Sequence, residues 1–390
     1  MAEFPIDRDY LVSALSDLVR IDSVNPSLVS GGAGEARIAA QVAAKMRRLG
    51  LTVTTLEAVP GRPSVVGRLK GSGGGRALML NAHLDTVGIE GMTDALAPAI
   101  RDGRLYGRGA YDMKGSLAAC LAAVKALVDA KTALSGDVVL AAVADEEYAS
   151  IGTAEVVRRI PVSAAIVTEP TELDICVAHK GFVWLEVETV GRAAHGSRFF
   201  DGLDANMRMG RFLARLDRLE QQLRARPPHP LVGPPSLHAP LLRGGTELST
   251  YAASCRLGIE RRTVPGETQA GVRAEIEALI EETRAADPTF TATARCLLAR
   301  SAFEVSPEAA IVRAVRVAAT RRLGRPPALI GKPFWMDSAI LADAGVETVV
   351  IGPAGAGAHT SQEWVDLPSL ETLAGTLAGA ATSFCGVRDP

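Results

Sequence analysis

Hydrophobic and polar positions in the first part of the chain alternate between two periodicities. Apolar residues at helical spacing, or runs of small residues, predict three helices, at residues 8–21, 35–48 and 115–130. Short continuous apolar runs predict three buried strands, at residues 76–82, 138–144 and 163–168. This alternation predicts an α/β sheet that is covered by helices.

The pattern changes near residue 180. Residues 182–190 alternate strictly between apolar and polar side chains, as a half-exposed strand does. The segment then continues as helix, strand, strand, helix and strand, at residues 205–225, 236–243, 253–262, 267–284 and 289–298. A β-α-β-β-α-β order is that of a ferredoxin-like domain.

The α/β pattern resumes after residue 300. Two helices, a strand and a last helix are predicted there, at residues 307–323, 338–343, 347–351 and 369–384. The simplest organisation is a discontinuous α/β domain, residues 1–180 and 301–390, with a ferredoxin-like domain inserted at residues 181–300. The length of 390 residues agrees with two domains.

Composition narrows the classes of protein. The chain is 47% hydrophobic and 22% charged, with a formal net charge of -2, so it predicts a globular core and no nucleic-acid or membrane partner. No apolar stretch reaches the roughly 18 residues that span a bilayer. The N-terminal residues do not resemble a signal peptide, and the five cysteines are widely spaced without a CxxC pair. These features predict reduced thiols and a cytoplasmic location.

Side chains that can bind metal stand at or beyond the ends of predicted strands, where α/β sheets build their sites. They lie in five segments: His83-Leu84-Asp85, the glycine-flanked Asp112, Asp145-Glu146-Glu147, Glu169, and His359 at the end of a glycine-rich stretch. Each segment alone has an ordinary structural explanation, such as a solvated helix start for the three acids. All five together point to a metal site.

The donor set indicates how many ions the site holds. His83 and His359 with three carboxylates, Asp112, Glu147 and Glu169, exceed the three protein ligands of a mononuclear catalytic zinc. With one carboxylate bridging, they suit two ions about 3.5–4 Å apart. Glu146 is left over and can accept a proton. The glycine-rich turns also raise a nucleotide-binding alternative, but the chain lacks both a GxGxxG and a Walker sequence.

In order and spacing, these segments resemble the two-zinc amidohydrolases and peptidases, a family that includes acetylornithine deacetylase, succinyl-diaminopimelate desuccinylase, aminoacylase and bacterial glutamate carboxypeptidase. The resemblance extends over nearly the whole chain. It implies one ion bound by His83, Asp112 and Glu169 and a second bound by Asp112, Glu147 and His359, with Asp112 bridging. Zinc is the implied metal, although these ligands also accept cobalt or manganese.

The resemblance also implies roles for residues beside the ions. Asp85 would orient His83, and Glu146 would be the general base that activates a metal-bridged hydroxide and passes its proton to the leaving amine. The peptide bond between Asp112 and Met113 would be cis. The inserted domain would serve as a lid and as the interface of a homodimer.

Two residues of the inserted domain match positions with a role in catalysis or binding. His195 matches a histidine that reaches the partner subunit's site and stabilises the oxyanion, and Arg262 matches an arginine that grips the substrate carboxylate. The sequence departs from relatives nearby, with Gly196 and Ser197 after the histidine and no Asn between Ser249 and Ala252. These changes bear on the identity of the substrate.

The resulting hypothesis is metal-dependent hydrolysis of the amide bond of an N-acyl amino acid, as in acetylornithine deacetylase. A dipeptidase or carboxypeptidase on the same scaffold is the nearest alternative, because both would use a carboxylate anchor. A metal-binding protein without catalysis is the alternative of another class. The presence of Glu146 argues against that class, since this residue is not needed merely to hold metal.

Overall fold

A computed structural model describes residues 4–388, which form two compact units. The first unit comprises residues up to 177 together with 305–330 and those from 336 onward, and the second comprises residues 178–304 and 331–335. Within residues 4–388, none of the helices is both long and apolar enough to cross a membrane.

The helices and strands follow one another along the chain with few long gaps. The helices are α1 (Arg8–Val19), α2 (Ala36–Arg48), α3 (Lys114–Asp129), α4 (Ile151–Arg159), α5 (Ala205–Ala225), α6 (Gln269–Ala286), α7 (Ala310–Leu323), α8 (Ser338–Asp343) and α9 (Leu367–Cys385). The strands are β1 (Thr52–Leu56), β2 (Ser64–Leu69), β3 (Leu78–His83), β4 (Ala99–Arg101), β5 (Arg104–Tyr106), β6 (Val138–Val143), β7 (Ala164–Val167), β8 (Ile175–His179), β9 (Gly181–Val190), β10 (Ser236–Gly244), β11 (Ser254–Thr263), β12 (Ala292–Arg300), β13 (Phe303–Glu304), β14 (Leu329–Lys332), β15 (Glu347–Val350), β16 (Gly355–Ala356) and β17 (Trp364–Asp366).

The first unit is built on a mixed sheet in the order β1-β2-β6-β3-β7-β15-β8. The neighbours β6, β3, β7 and β15 are parallel, and antiparallel strands flank them on both sides. Every residue of β3, β6 and β7 is buried, which explains why these strands are continuous apolar runs in the sequence. The mixed α/β class predicted from the sequence is confirmed.

Helices cover this sheet through small and branched side chains. The helix α3 packs against α1 and α9 and is almost wholly buried, as its many alanines allow. Side-chain caps begin several helices. Asp7 accepts a hydrogen bond from Tyr10 N at the start of α1, and Asp366 accepts one from Ser369 N at the start of α9.

The second unit consists of one antiparallel sheet and two helices. Its strands lie in the order β10-β11-β9-β12, with α5 between β9 and β10 and α6 between β11 and β12. Val183, Leu185 and Val187 of β9 face the two helices and form the core of this unit, so the intervening residues of β9 face the other side of the sheet.

Several elements were not predicted from the sequence. The edge strand β1 and its neighbour β2 join the main sheet, and the short strands β16, β17, β5 and β4 form a small separate sheet in that order. The helix α4 follows Ser150, whose φ of 54° is left-handed. Most of these segments are short or partly exposed, so hydrophobic periodicity gives little signal for them. The largely buried β2 and the fully buried β8 were also not predicted.

Candidate metal centre

The parallel strands bring the predicted donors to one edge of the main sheet. His83 is the last residue of β3, Glu147 follows β6, Glu169 follows β7, and His359 lies in the loop after β15. The carboxyl ends of parallel strands are where α/β sheets place their sites. Asp112 comes from the loop between β5 and α3, and its peptide bond with Met113 is cis, in agreement with the expectation from the sequence.

These five residues form two clusters that share one member. His83 Nε2 lies 3.1 Å from Asp112 Oδ1 and 3.6 Å from Glu169 Oε1. His359 Nε2 lies 3.2 Å from Asp112 Oδ2 and 3.0 Å from Glu147 Oε2. In each cluster the three ligand atoms lie within 4.8 Å of one another. Each oxygen of Asp112 therefore serves a different cluster, which is the arrangement that a bridging carboxylate requires.

The electrostatics of the clusters favour a cation. Burial, together with the charge of Asp112, raises the pKa of Glu147, and burial raises the pKa of Glu169 well above its ordinary value. Although burial opposes it, hydrogen bonds from His359 and His83 hold the pKa of Asp112 below its usual range. Hydrogen bonds to Asp112 and Glu147 raise the pKa of His359 to about 10. Without an ion, the clustered carboxylates are stabilised by hydrogen bonds from the two histidines. Metal ions between the same nitrogen and oxygen atoms would replace those protons.

One orphaned atom also indicates that the cluster is suited to a metal. Glu147 Oε1 is buried and has no hydrogen-bond partner among residues 4–388. An unpartnered carboxylate oxygen away from water is costly unless a cation or donor faces it. The donor set of imidazole nitrogen and carboxylate oxygen is one that zinc accepts in catalytic sites. The residues present therefore fit a pair of divalent ions.

Asp85 supports the site in a different way from the one expected. The main-chain oxygen of Asp85, at 2.9 Å, is the partner of His83 Nδ1, whereas its carboxylate Oδ1 lies 3.8 Å from that nitrogen. The carboxylate instead accepts hydrogen bonds from the main-chain N–H groups of Glu146 and Glu147, at 3.1 and 3.2 Å. Asp85 thereby contacts both the His83 ring and the turn that carries the two glutamates.

Glu146 belongs to neither cluster but lies close to them. Its carboxylate is partly buried, and burial raises its pKa well above the ordinary value, with a further rise from the charge of Glu169. A carboxylate with a raised pKa and no place among the candidate ligands is suited to proton transfer.

A buried polar network under the site was missed by the sequence analysis. Asn25 Nδ2 donates to both Asp85 and Asp145, at 2.8 and 3.0 Å. Arg62 donates to Asp145 at 2.9 Å and forms a two-pronged ion pair with the buried Glu35. These residues are far apart in sequence, so no local sequence motif predicts their contacts.

A further buried acid was also missed. Asp337, just before α8, accepts a hydrogen bond of 2.5 Å from Thr153 Oγ1. Burial raises the pKa of Asp337 to about 6, and its charge contributes to the raised pKa values of Glu146 and Glu169. The only sequence signal was its place in the segment before a short predicted helix.

In the second unit, the two residues singled out from the sequence have distinct surroundings. His195 is exposed, and its Nδ1 lies 2.8 Å from Ser197 Oγ. Arg262 is partly exposed, pairs with Glu260 on the same strand, and lies with its guanidinium carbon 5.5 Å from the centre of the Phe182 ring. The neighbouring Arg261 is buried and pairs with glutamates of its own unit, so Arg262 is the more accessible of the two.

Comparison with known proteins identifies the family. The profile of peptidase family M20/M25/M40 matches residues 79–383. The chain belongs to this family. It is a metal-dependent hydrolase of amide bonds, an activity that agrees with the names of its relatives and with the paired clusters at the sheet edge.

Two curated relatives match over most of their length. An acetylornithine deacetylase of Myxococcus xanthus is 31% identical over 387 residues, which cover 97% of this chain and 98% of the relative. An N-formyl-4-amino-5-aminomethyl-2-methylpyrimidine deformylase of Bacillus subtilis (strain 168) is 28% identical and covers 88% of each chain. Both names describe removal of an acyl group from nitrogen.

Solved structures share the fold at lower identity. Aminopeptidase PepT from Bacillus cereus ATCC 10987 superposes with a TM-score of 0.80 at 18% identity and covers 98% of this chain and 100% of its own. A dinuclear metal-binding peptidase of the M20 family from Bacillus subtilis superposes with a TM-score of 0.73 at 15% identity, over 96% of this chain and 97% of its own. At these identities the likeness establishes the fold.

Proposed function

We propose that the chain hydrolyses the amide bond of an N-acyl amino acid, in the manner of an acetylornithine deacetylase. The observation that carries the proposal is the pair of clusters that share Asp112, with the carboxylate of Glu146 beside them and outside both. The near-complete match to the Myxococcus xanthus deacetylase supports an acyl amino acid as the substrate class.

The proposed cofactor is a pair of divalent ions, zinc by preference, with cobalt or manganese as chemically acceptable substitutes. His83, Asp112 and Glu169 would hold one ion, and Asp112, Glu147 and His359 would hold the other. When bound, such a pair polarises the amide carbonyl and lowers the pKa of water.

Glu146 is the proposed general base. One of its carboxylate oxygens would take the proton of the attacking water and later release it to the nitrogen of the leaving amine. The raised pKa of Glu146 supports this role, because a carboxylate that binds its proton more tightly is a stronger base and still able to return the proton. The main-chain oxygen of Asp85 would hold the His83 ring by accepting from Nδ1.

The second unit is the proposed ferredoxin-like lid. Its β-α-β-β-α-β element order and its sheet order β10-β11-β9-β12 support that assignment. His195 would donate a hydrogen bond to the oxyanion in the partner subunit's site, and Arg262 would bind the substrate carboxylate. The exposure of His195 and the accessibility of Arg262 support these roles.

The proposed homodimer through the lid is supported by an exposed sheet edge. The strand β10 is one of the two outer strands of its sheet, and Leu241 and Leu242 on it are each 56% exposed. An exposed apolar edge strand invites pairing with another strand. All five cysteines are free, which supports the proposed cytoplasmic location.

A substrate panel tests the proposal. N-acetyl amino acids including acetylornithine, N-formyl amines and simple dipeptides would be offered to the chain, with chelator and with zinc restored. Chelator-sensitive cleavage of the acylated amines is the expected result. Cleavage of dipeptides alone would move the chain to the dipeptidase or carboxypeptidase alternative. Two bound ions without cleavage of any compound would favour a metal-binding protein that lacks catalysis.

A further inference from the structure

The side chain of Glu363 accepts four hydrogen bonds in the interior of the first unit. Its Oε1 accepts from the main-chain N–H groups of Tyr111 and Asp112, both at 2.9 Å. Its Oε2 accepts from Gly109 N at 3.0 Å and from Arg108 Nη1 at 2.7 Å. The carboxylate is 1% exposed, so water does not compete for these donors. All four donors lie in the loop that ends at Asp112.

Arg108 fastens the same loop to the segment that carries His359. Besides Glu363, its guanidinium donates to Thr360 O at 2.8 Å and to Gly88 O at 3.0 Å. Glu363 itself follows His359 by four residues. Two ligand-bearing loops from distant parts of the sequence are therefore joined by one buried ion pair and its hydrogen bonds.

The residue that needs this support is His359. Its side chain is 55% exposed, and its φ of 62° is left-handed. A ligand on an exposed loop binds metal well only when its supporting contacts hold it in place. The Arg108–Glu363 pair is a buried side-chain contact that links this loop to the loop of Asp112, the carboxylate that both clusters share.

We propose that Glu363 is a positioning residue, which fixes the Asp112 loop against the His359 loop and so sets the geometry of the ion site shared by Asp112, Glu147 and His359. The inference rests on the two-metal site proposed above and adds a residue that touches neither ion nor substrate.

The two conservative substitutions at this position have different consequences. An amide in Glu363→Gln presents an NH2 group to at least one pair of donors, so hydrogen bonds are lost whichever way it turns. Glu363→Asp keeps two acceptor oxygens but withdraws them by one methylene. The expected order of ion affinity is wild type, then Glu363→Asp, then Glu363→Gln.

Asp137→Asn is the matched control. Asp137 also accepts from a main-chain N–H, that of Gly71 at 2.8 Å, and from an arginine, Arg68 at 2.5 Å. It precedes β6, whereas the candidate ligands follow the strands, so it lies at the opposite end of the same sheet. Its replacement alters a comparable set of contacts away from the ions.

The test is cobalt titration of the full chain after chelator treatment, followed by its visible absorbance, at a temperature well below each variant's unfolding midpoint. Wild type is expected to bind two ions per chain. Glu363→Gln is expected to bind its weaker ion about 10- to 100-fold less tightly, a typical cost for losing support behind a ligand. Excess cobalt should restore much of its turnover, and Asp137→Asn should bind as wild type does.

Wild-type affinity in Glu363→Gln, even with a lowered unfolding temperature, would overturn the role of Glu363 and leave the two-metal site standing. A wild-type chain that binds fewer than two ions would overturn the metal site and the inference together. Should Glu363→Gln fail to fold, Glu363→Asp takes its place. That variant withdraws both acceptor oxygens from the donors of the Asp112 loop, so weakened cobalt binding supports the inference and unchanged binding overturns it.

Discussion

The pKa values of the acids in the candidate metal centre reflect the cost of burying several carboxylates close together. Burial raises the pKa values of Glu146, Glu147 and Glu169, and each also feels at least one neighbouring acid. Of these four acids, Asp112 alone has a lowered pKa, since it accepts hydrogen bonds from both histidines. Bound cations would reduce the repulsion among these carboxylates. Glu146 is the one acid of the four that lies outside the ligand set.

Replacing Glu146 with alanine should remove turnover without removing ions. A positioned proton carrier contributes about 10²- to 10⁴-fold to rate, so kcat should fall by that factor. Metal content measured on the same preparation should stay at the wild-type value. Glu155→Gln, which changes a glutamate paired with exposed arginines on α4, is the control. A variant that keeps more than about a tenth of wild-type kcat would be too active for this role.

Asp337 gives a prediction about stability and pH. Its pKa is raised by burial from 3.8 to about 6, so the folded ion-free chain holds this proton more tightly than the unfolded chain does. By linkage, this acid lowers the free energy of unfolding as pH rises from about 4 to 6, and the loss is complete above that range. Asp337→Asn should therefore raise the unfolding temperature of ion-free protein at pH 7.5.

The same variant should behave differently at low pH. At pH 4 the aspartic acid is already protonated in the fold, so the two unfolding temperatures should nearly coincide. The comparison requires thermal unfolding in chelator at both pH values. If wild type and Asp337→Asn had equal unfolding temperatures at pH 7.5, ionisation of Asp337 would not destabilise the folded chain, and the prediction would be wrong.

Four of the candidate ligands could be predicted because each ends or follows a strand whose apolar run is visible in the sequence. They are His83, Glu147, Glu169 and His359. Asp112 was found from the glycines around it. Glu363 could not be found in this way, since most of its partners are main-chain N–H groups, which every residue but proline carries. The expected contact of Asp85 with His83 exists, but it is made by a main-chain oxygen, which a side-chain pattern cannot foresee.

At the scale of elements, buried polar contacts help to hold the loops at the end of the sheet that carries the candidate ligands. Arg62 joins the start of α2, through Glu35, to Asp145 at the end of β6. Glu35 is fully buried and Asp145 nearly so, so the arginine neutralises two charges that have little access to water. This network therefore stabilises the turn that carries Glu146.

Removing the arginine should therefore be costly. Arg62→Met leaves Glu35 without its charged partner, and breaking a buried ion pair from one side typically costs about 3–5 kcal/mol. Denaturant unfolding should show a loss in that range. Arg273→Ala, which breaks an exposed pair with Glu277 on α6, should change the free energy of unfolding by less than about 1 kcal/mol. Equal effects of the two substitutions would contradict the buried network.

The long helices and the strands β3, β6, β7 and β15 were predicted to within a few residues, because burial leaves an apolar run or a periodic apolar pattern in the sequence. The buried strands β2 and β8 were missed. The strands β1 and β4 were also missed, since most of their side chains are exposed or half-exposed. The helix α4 has nine residues, too few for a clear helical period beside the acidic turn that precedes it.

For the whole molecule, the decisive question is whether the proposed lid serves its own chain or a partner. His195 and Glu146 lie in different units, and the dimer hypothesis assigns His195 to the partner subunit's site. Two inactive variants separate these cases. In a mixed dimer of His195→Ala and Glu146→Ala, one site receives an intact Glu146 from one chain and an intact His195 from the other.

Mixing the two variants should restore activity. Random exchange between subunits of a symmetric dimer gives about a quarter of the wild-type sites. Activity would be measured before and after subunit exchange. If His195 acted within its own chain, no mixed dimer would contain a complete site and the mixture would stay inactive.

Under the dimer proposal, subunit exchange would depend on the outer strand β10. Leu242→Lys on β10 should shift the dimer toward monomer in sedimentation experiments, because a charge at an exposed strand edge opposes pairing. Val317→Lys on α7 replaces a residue that is 42% exposed and should leave the assembly unchanged. A dimer that persists equally in both variants would place the interface elsewhere.

The position of β15 in the main sheet has a consequence for biosynthesis. This strand lies between β7 and β8, yet it is made only after the whole of residues 178–304. During synthesis from the N-terminus, the apolar strand β7 lacks its partner β15, whereas the four-stranded sheet of the second unit pairs only among β9, β10, β11 and β12 and can already form. The nascent chain therefore exposes an incomplete, aggregation-prone sheet while more than a hundred further residues are synthesised. A chaperone would be most needed during this interval.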